Sequence, residues 1–414
     1  MIIPLLIDVE IKRKLKDSEE DIELIIQHWI RTLDIKLGWI NNFNKIIINY
    51  VMLFFYFLFK YLLLFNIITT FIGHVSCVYS IDYSIFNDKQ FICSGSTDCA
   101  VVVWNIDSEQ IQVSKVYSDY VYCVRFSQYH YHNHHCNVIC SASNNKIIHF
   151  WDFKNDQQLK TFNEHTDRVC GIEFSSFNGG RYLCSASGDK TVRLWDIETS
   201  KSLHIFNGHK DCVNCVDFSP LQNNNNENNG VNLIGGNGYT ICSGSDDNTI
   251  RIWDVETTKQ LIEFKKHEKA VFSVKYGSNK LGINGGSNII LSGSIDKSVR
   301  LWDVRSGQQI QIFNGHTHDV YAVEYSPLVV KNIEVGGSSG VICSGSLDNT
   351  IRFWDIRSNK NELYLIKGDD DDAGILCLKF LALKKKEKDN KKTNDNYDLS
   401  LYYGSAIGPI RVWG

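Results

Sequence analysis

Seven tryptophans recur through the chain at intervals of 44 to 59 residues, and six of them open the same kind of dipeptide: Trp104-Asn105, Trp151-Asp152, Trp195-Asp196, Trp253-Asp254, Trp302-Asp303 and Trp354-Asp355, with Trp413 as the seventh. A single unit of that size cannot bury its own apolar face, so repeats of this period stack into solenoids or close into propellers. The residues between the tryptophans narrow the choice.

Those residues fall into columns. Six positions before each of the first six tryptophans stands a turn-former, Asp98, Asn145, Asp189, Asp247, Asp296 or Asp348, and serines stand ten and eight positions before, as in Ser94/Ser96 and Ser344/Ser346. Eleven before comes Cys93, Cys140, Cys184, Cys242, Leu291 or Cys343. Apolar and polar positions alternate with period two, which predicts a strand, a tight turn at the Asp and a second strand ending at Trp. A further strand lies upstream, as at 213–218 and 320–325, and its third residue is small throughout (Ser80, Cys123, Gly171, Cys215, Ser273, Ala322, Cys377), which suits a crowded inner wall. His74, His165, His209, His267 and His316 stand four residues before that strand, and Phe162, Phe206, Phe264 and Phe313 end a fourth strand three residues before the last four histidines. Each unit is therefore a four-stranded antiparallel sheet.

With the His, Ser, Asp and Trp columns in register together, the chain resembles the WD-repeat β-propeller family (G-protein β-like repeats) from about Ile67 to Gly414. The resemblance implies an all-β fold, a seven-bladed propeller of four-stranded antiparallel blades. It also implies a hydrogen-bonded tetrad inside each blade, available here at His74/Asp98/Trp104, His165/Asp189/Trp195, His209/Asp247/Trp253, His267/Asp296/Trp302 and His316/Asp348/Trp354. A buried indole N–H and a turn carboxylate both need partners, and a neutral histidine bridges them. Blade two carries Tyr117 and Asn145 at the His and Asp positions, and blade seven Asp371 and Ile407. Those two blades are expected to be softer by about 1 kcal/mol per lost hydrogen bond.

The last Trp falls one strand short of a complete blade. Ile68 and Phe71 precede His74 at the offsets at which Leu203 and Phe206 precede His209, so residues 67–72 are expected to supply the outer strand of the last blade. That arrangement removes two exposed edges. Burial of Ile68 and Phe71 is worth roughly 1.5 to 3 kcal/mol each.

The propeller, 67–414, leaves a separate piece in front. Residues 1–52 read as a small N-terminal α-helical segment: Ser18 and Asp21 suit a capping box, Ile22, Ile25, Ile26, Trp29 and Leu33 form one stripe, and a second helix is expected from Gly38. Residues 53–66 form an apolar connector. The stretch 46–68 is long enough to cross a bilayer, yet Lys60 at its middle costs roughly 2.5 to 3.5 kcal/mol there. A bilayer span, a buried helix, and an irregular segment or translated non-coding sequence all stay open. The thirteen cysteines are odd in number and fall mostly in strand columns, and the N-terminus lacks a positive n-region. Together these favour an intracellular, reduced protein, in cytoplasm or nucleus. A net charge of −4 gives no reason to expect direct nucleic-acid binding.

Insertions at 221–239, 277–288, 328–340 and 383–398 all separate first and second strands, so alternation puts them on one face of the disc. The other face is compact, built from the His-bearing loops and Asp turns. There the second residue of each inner strand is expected at the channel mouth: Tyr79, Tyr122, Cys170, Asn214, Phe272, Tyr321 and Leu376, with Arg168, Asp246 and Asp319 in the same rim. Aromatic and Arg anchors around a concavity suit a protein or peptide.

Two clusters carry possible metal chemistry. His130, His132, His134, His135 and Cys136 have zinc-ligand residue types at irregular spacing in a loop of blade two, and Asp369–Asp372 lacks the spacing of a calcium loop and reads as an acidic patch on the rim. Phosphate loop, nucleophile elbow and paired catalytic carboxylates are absent from the sequence. The expectation is a non-catalytic scaffold: protein or peptide partners on the compact face, and a monomeric ring within a larger complex. No catalytic residue, cofactor, resident metal or small-molecule substrate is expected. The alternatives are a chromatin-type histone or peptide reader in which Tyr122 and Phe272 clamp an Arg side chain, a substrate receptor, and a membrane-attached adaptor.

Overall fold

Period-two alternation becomes strand wherever it extends through a Trp phrase. The Ser-x-Ser strands are buried on both faces, with the serines of Val341–Ser346 and Thr240–Ser245 wholly inaccessible. The computed structural model describes residues 67–108, 110–220, 239–277, 288–327, 340–356, 362–384 and 397–414, and Ile67–Trp413 forms one unit. The expected N-terminal helices and the connector 53–66 lie outside the described residues. Among the described residues no helix is long and apolar enough to cross a membrane.

Seven four-stranded antiparallel sheets are arranged as blades. Their inner strands are Val78–Phe86, Val121–Phe126, Val169–Phe174, Val213–Phe218, Val271–Tyr276, Val320–Tyr325 and Ile375–Lys384. Within six blades the strands follow in chain order from channel to rim, as in blade three: Val169–Phe174, Tyr182–Ser187, Thr191–Asp196, Lys201–Asn207. The seventh combines Ile375–Lys384, Tyr397–Ser405 and Ile410–Trp413 with Ile67–Phe71 from the start of the ring. In that last pairing Phe71 lies opposite Ile410 and Thr69 opposite Val412.

The apolar core is divided into seven clusters, and each spans two neighbouring blades. One joins blades four and five through Ile250, Phe264, Val271 and Trp302, and another joins blades seven and one through Phe71, Trp104, Tyr402 and Ile410. A recurrent ring pair explains the spacing of the Phe and Trp columns. The outer-strand Phe of one blade meets the Trp of the next, as Phe162 on Trp195 at 4.8 Å between centroids, Phe264 on Trp302 at 4.9 Å and Phe71 on Trp104 at 5.9 Å. A blade thus buries its apolar faces only against its neighbours, as repeat architectures require.

Blade two departs from the expected loop. Residues 128–134, which carry much of the histidine cluster, form a helix, α1 (Gln128–His134), ended by His135 in the left-handed conformation. The segments 221–238, 278–287, 328–339 and 385–396 lie outside the described residues, each between the inner and second strands of blades four to seven.

Candidate functional site

The compact face is organised by buried hydrogen-bond chains. In blades three to six, the indole N–H of Trp195, Trp253, Trp302 and Trp354 donates to the hydroxyl oxygen of Ser185, Ser243, Ser292 and Ser344 at 2.8 to 3.0 Å. Those oxygens lie 2.7 to 2.8 Å from Nε2 of His165, His209, His267 and His316. The histidine Nδ1 atoms lie 2.7 to 2.9 Å from Asp189, Asp247, Asp296 and Asp348. An indole N–H only donates and an ionised carboxylate only accepts, so the chain runs one way: Trp to Ser, Ser to His Nε2, His Nδ1–H to Asp. That direction fits the tautomer with its proton on Nδ1, and burial holds His209 and His267 below the ordinary histidine value. The same carboxylates also accept the backbone N–H of the next residue, as Lys210 to Asp247 at 2.9 Å, which ties the His loop to the Asp turn. Blade one has His74 against Asp98 at 2.8 Å and Ser94 at 2.6 Å, with Trp104 edge-on to the imidazole.

Blades two and seven use other chemistry. In blade two Tyr117 packs its ring on His149, and the Trp151 N–H donates to Asp156 at 3.1 Å. In blade seven the polar centre is Asp372, one residue beyond the position read from the offset. Asp372 is fully buried, accepts from Tyr403 at 2.7 Å and from Arg411 Nε at 2.8 Å, while Arg411 reaches Thr70 of the closing strand at 3.3 Å. The Asp369–Asp372 run is therefore divided: Asp372 belongs to the core, Asp369 pairs with Arg411 at 3.2 Å, and Asp371 is exposed.

Around the channel mouth four half-buried rings form an arc. Tyr122 meets Tyr79 at 5.8 Å, Tyr79 meets Tyr321 at 6.4 Å and Tyr321 meets Phe272 at 4.7 Å. Burial pushes the Tyr122 and Tyr321 phenols up to about 12, and for Tyr321 the Tyr79 phenol and the Asp319 and Asp246 carboxylates add to it. The remaining side, from blades three and four, is polar. Asn214 donates to Asp246 at 2.7 Å, and Arg168 Nη2 lies 3.4 Å from the Cys212 sulfur, which is itself 3.7 Å from that of Cys170.

Deeper in the channel lies a charged ring that the column reading passed over. The fifth residue of every inner strand is ionisable: Asp82, Arg125, Glu173, Asp217, Lys275, Glu324 and Lys379. Arg125 pairs with Glu173 at 3.0 Å, Lys275 with Glu173 at 3.4 Å and Asp217 at 3.9 Å, and Lys379 with Asp82 at 3.2 Å. Burial pushes Asp217 up to about 6. Burial also opposes ionisation of Glu173, but Arg125 and Lys275 overcome it and hold that group at about 2. The signal was present in the sequence as one charged position per period.

The histidine cluster is not gathered around one point. His130 is buried in α1 with Nδ1 2.7 Å from Ser127 Oγ and is pulled down to about 4 by burial, whereas His132, His134 and His135 are exposed. Among the described residues no group of three or more His, Cys, Asp or Glu side chains is placed to hold a metal ion.

Comparison with known proteins agrees with this geometry. The family model described as WD domain, G-beta repeat, matches residues 65–105, 109–152, 156–196, 200–254, 258–303 and 307–355. Autophagy-related protein 16 of Arabidopsis thaliana is 24% identical over 186 residues, covering 45% of this chain and 32% of that protein. The chain thus matches about a third of the length of that relative. The six matched repeats run from an outer strand to the next Trp phrase, and the seventh blade is completed by the pairing of Ile67–Phe71 with Ile410–Trp413. On its repeats and its seven blades together, the chain belongs to the WD-domain, G-beta-repeat family of β-propellers.

Proposed function

We propose that this chain is a non-catalytic scaffold that docks a protein or peptide on the compact face, over the aromatic arc at the channel mouth. Propellers of this family generally bind protein partners and are typically non-catalytic. The observation that carries the reading is the mouth itself: four half-buried rings on one side, and Arg168, Asn214 and Asp246 on the other. Rigid aromatic anchors beside a few oriented polar groups lose little conformational entropy on binding and supply directional contacts. The tetrads below hold the loops in place, which leaves the mouth preorganised.

Affinity capture with the full chain, compared with a variant combining Tyr122→Ala, Phe272→Ala and Tyr321→Ala, tests the assignment. Partners bound at the mouth are expected to weaken by roughly tenfold or more. An identical set of partners with unchanged affinity, from a variant whose melting curve shows an intact ring, would sink it.

One arrangement supports the peptide-reader alternative. Tyr122 and Phe272 stand at the two ends of the arc, with the polar side between them. A basic side chain entering there would have the carboxylate of Glu324 deeper along the same channel. Binding of arginine-containing peptides that survives Tyr122→Ala counts against that reading. The name of the plant relative points to autophagy, and capture from autophagy-induced cells is the arm of the experiment that addresses it.

A further inference from the structure

Thirteen cysteines are free, and one pair of them stands apart. Five are inert by burial: Cys93, Cys140, Cys184, Cys242 and Cys343 are wholly inaccessible in the second strands of their blades. Cys170 and Cys212 sit on adjacent blades at the channel mouth, with their sulfurs 3.7 Å apart and the Arg168 guanidinium 3.4 Å from Cys212. Cys170 is half-buried and Cys212 is nearly covered. The Cys170 thiol donating to it, and then Arg168, hold Cys212 below its ordinary range; the same hydrogen bond and burial push Cys170 up. One sulfur is therefore the more accessible, and the other is the better thiolate.

We propose that Cys170 and Cys212 are a reversible dithiol–disulfide couple that reacts with small-molecule disulfides of the glutathione type. Cys170 attacks one sulfur of the small disulfide, its proton passing to the Cys212 thiolate in contact with it, and a small thiolate leaves. The Cys212 proton is then lost to solvent. Cys212, now a thiolate beside Arg168, attacks the Cys170 sulfur of the mixed disulfide and expels the second small thiolate. A thiol and a thiolate become one disulfide, and the small disulfide takes up two electrons and leaves as two small thiolates, with one proton released to solvent. Bond formation brings the sulfurs from 3.7 Å to roughly 2 Å. In a reducing compartment such a bond is transient, formed when the thiol pool is oxidised.

The bridge also regulates the docking surface, a consequence that rests on the function proposed above. Once Cys212 is tied to Cys170, Arg168 loses its sulfur partner and becomes free for an acidic group on a ligand, while blades three and four are linked at the mouth.

The experiment equilibrates the full chain in buffers running from reduced to oxidised glutathione, alkylates the remaining thiols and maps them by mass spectrometry. A Cys170–Cys212 linked peptide is expected before any modification of Cys93, Cys140 or Cys184. In Cys212→Ser the reaction is expected to stop at a glutathione adduct on Cys170. In Arg168→Gln bridge closure is expected to slow by roughly threefold to tenfold at neutral pH, because less Cys212 is thiolate. The proposal is overturned if the wild-type chain, folded by its melting curve, shows no linked peptide in fully oxidised glutathione. It is equally overturned if the Cys170 adduct is as abundant in the wild type as in Cys212→Ser. These readouts need no partner, whereas partner capture is performed on the reduced chain, so failure of one does not mask the other.

Discussion

At the scale of single residues, the tetrad carboxylate is the most connected polar group in a blade. Asp247 accepts from His209 at 2.9 Å, from the Lys210 N–H at 2.9 Å, and from the N–H and hydroxyl of Thr249 at 3.0 and 2.6 Å. Asp247→Ala strands a buried imidazole N–H and loosens two loops, so it is expected to lower the unfolding free energy by about 2 to 3 kcal/mol. Asn145→Ala in blade two is expected to cost about 1 kcal/mol. Urea unfolding of the two variants gives the comparison, and equal losses would mean that the neutral amide does the same work. The tetrads also set the acid response. Burial holds His74, His209 and His267 below their ordinary 6.5, so between that value and their folded values the unfolded chain binds more protons. Their stability is complete above 6.5 and is lost as the pH falls beneath it. Burial works against ionisation of Asp189, Asp247, Asp296 and Asp348, but hydrogen bonds from His and from Thr or Ser outweigh it and lower them, so their contribution is lost at still lower pH. Asp217, raised to about 6 by burial, has the opposite sign: the folded chain holds that proton between about 3.8 and 6, which favours the fold on the acid side. With His130 and His149, which burial also lowers, five histidines against one carboxylate give a urea midpoint that falls between about pH 7 and pH 5. A midpoint that rises across that interval would show that Asp217 dominates.

At the scale of elements, the closing strand Ile67–Phe71 decides whether the ring is closed. Phe71 is 5% exposed, packs edge-on against Trp104 of blade one and stacks on Tyr402 of blade seven at 6.3 Å. Phe71→Ala removes one ring from both blades and is expected to cost about 3 to 5 kcal/mol. Because every blade relies on its neighbours, the whole ring is expected to unfold earlier in one transition, seen as coincident shifts in far-UV circular dichroism and tryptophan fluorescence. Blade seven illustrates how far an element departs from its repeat. The expected softness there came from a missing His, but Asp372, Tyr403 and Arg411 form a buried cluster that also holds Thr70. Arg411→Ala leaves Asp372 buried without its cation and is expected to cost about 3 to 5 kcal/mol. Adding Asp372→Asn to that variant removes the stranded charge, so recovery of part of the loss distinguishes electrostatics from packing. The helix α1 is the complementary lesson. A run rich in His and Tyr reads as a loop by composition, yet Tyr129 and His130 turn inward together, with His130 against Phe150, and their burial outweighs weak helix propensity.

At the scale of the whole molecule, the channel connects what the blades keep separate. Lys275 of blade five reaches Glu173 of blade three and Asp217 of blade four, so one side chain links three wedges across the axis. Lys275→Met is expected to cost about 1 to 3 kcal/mol, below the range for a fully buried pair because the channel admits water to these groups. Pairing it with Asp217→Asn is expected to recover part of that loss, measured as non-additivity in a double-mutant cycle. If the two losses simply add, the ring of charges is not coupled.

The sequence by itself determined the repeat, the strand alternation and the identity of the columns, because the period-two pattern and the His, Ser, Asp and Trp set are local features that recur at fixed offsets within a repeat. It also placed Phe71 at the offset of an outer strand. The tertiary structure alone decided which column meets which: outer-strand Phe on the next blade's Trp, a buried Asp372 in blade seven, one charge per blade gathered on the axis, and Cys170 beside Cys212. Those contacts join residues 31 or more positions apart, and the ring's curvature sets their distance. Offsets along a strand fix which face a side chain takes, but only closure of the ring fixes what stands opposite it.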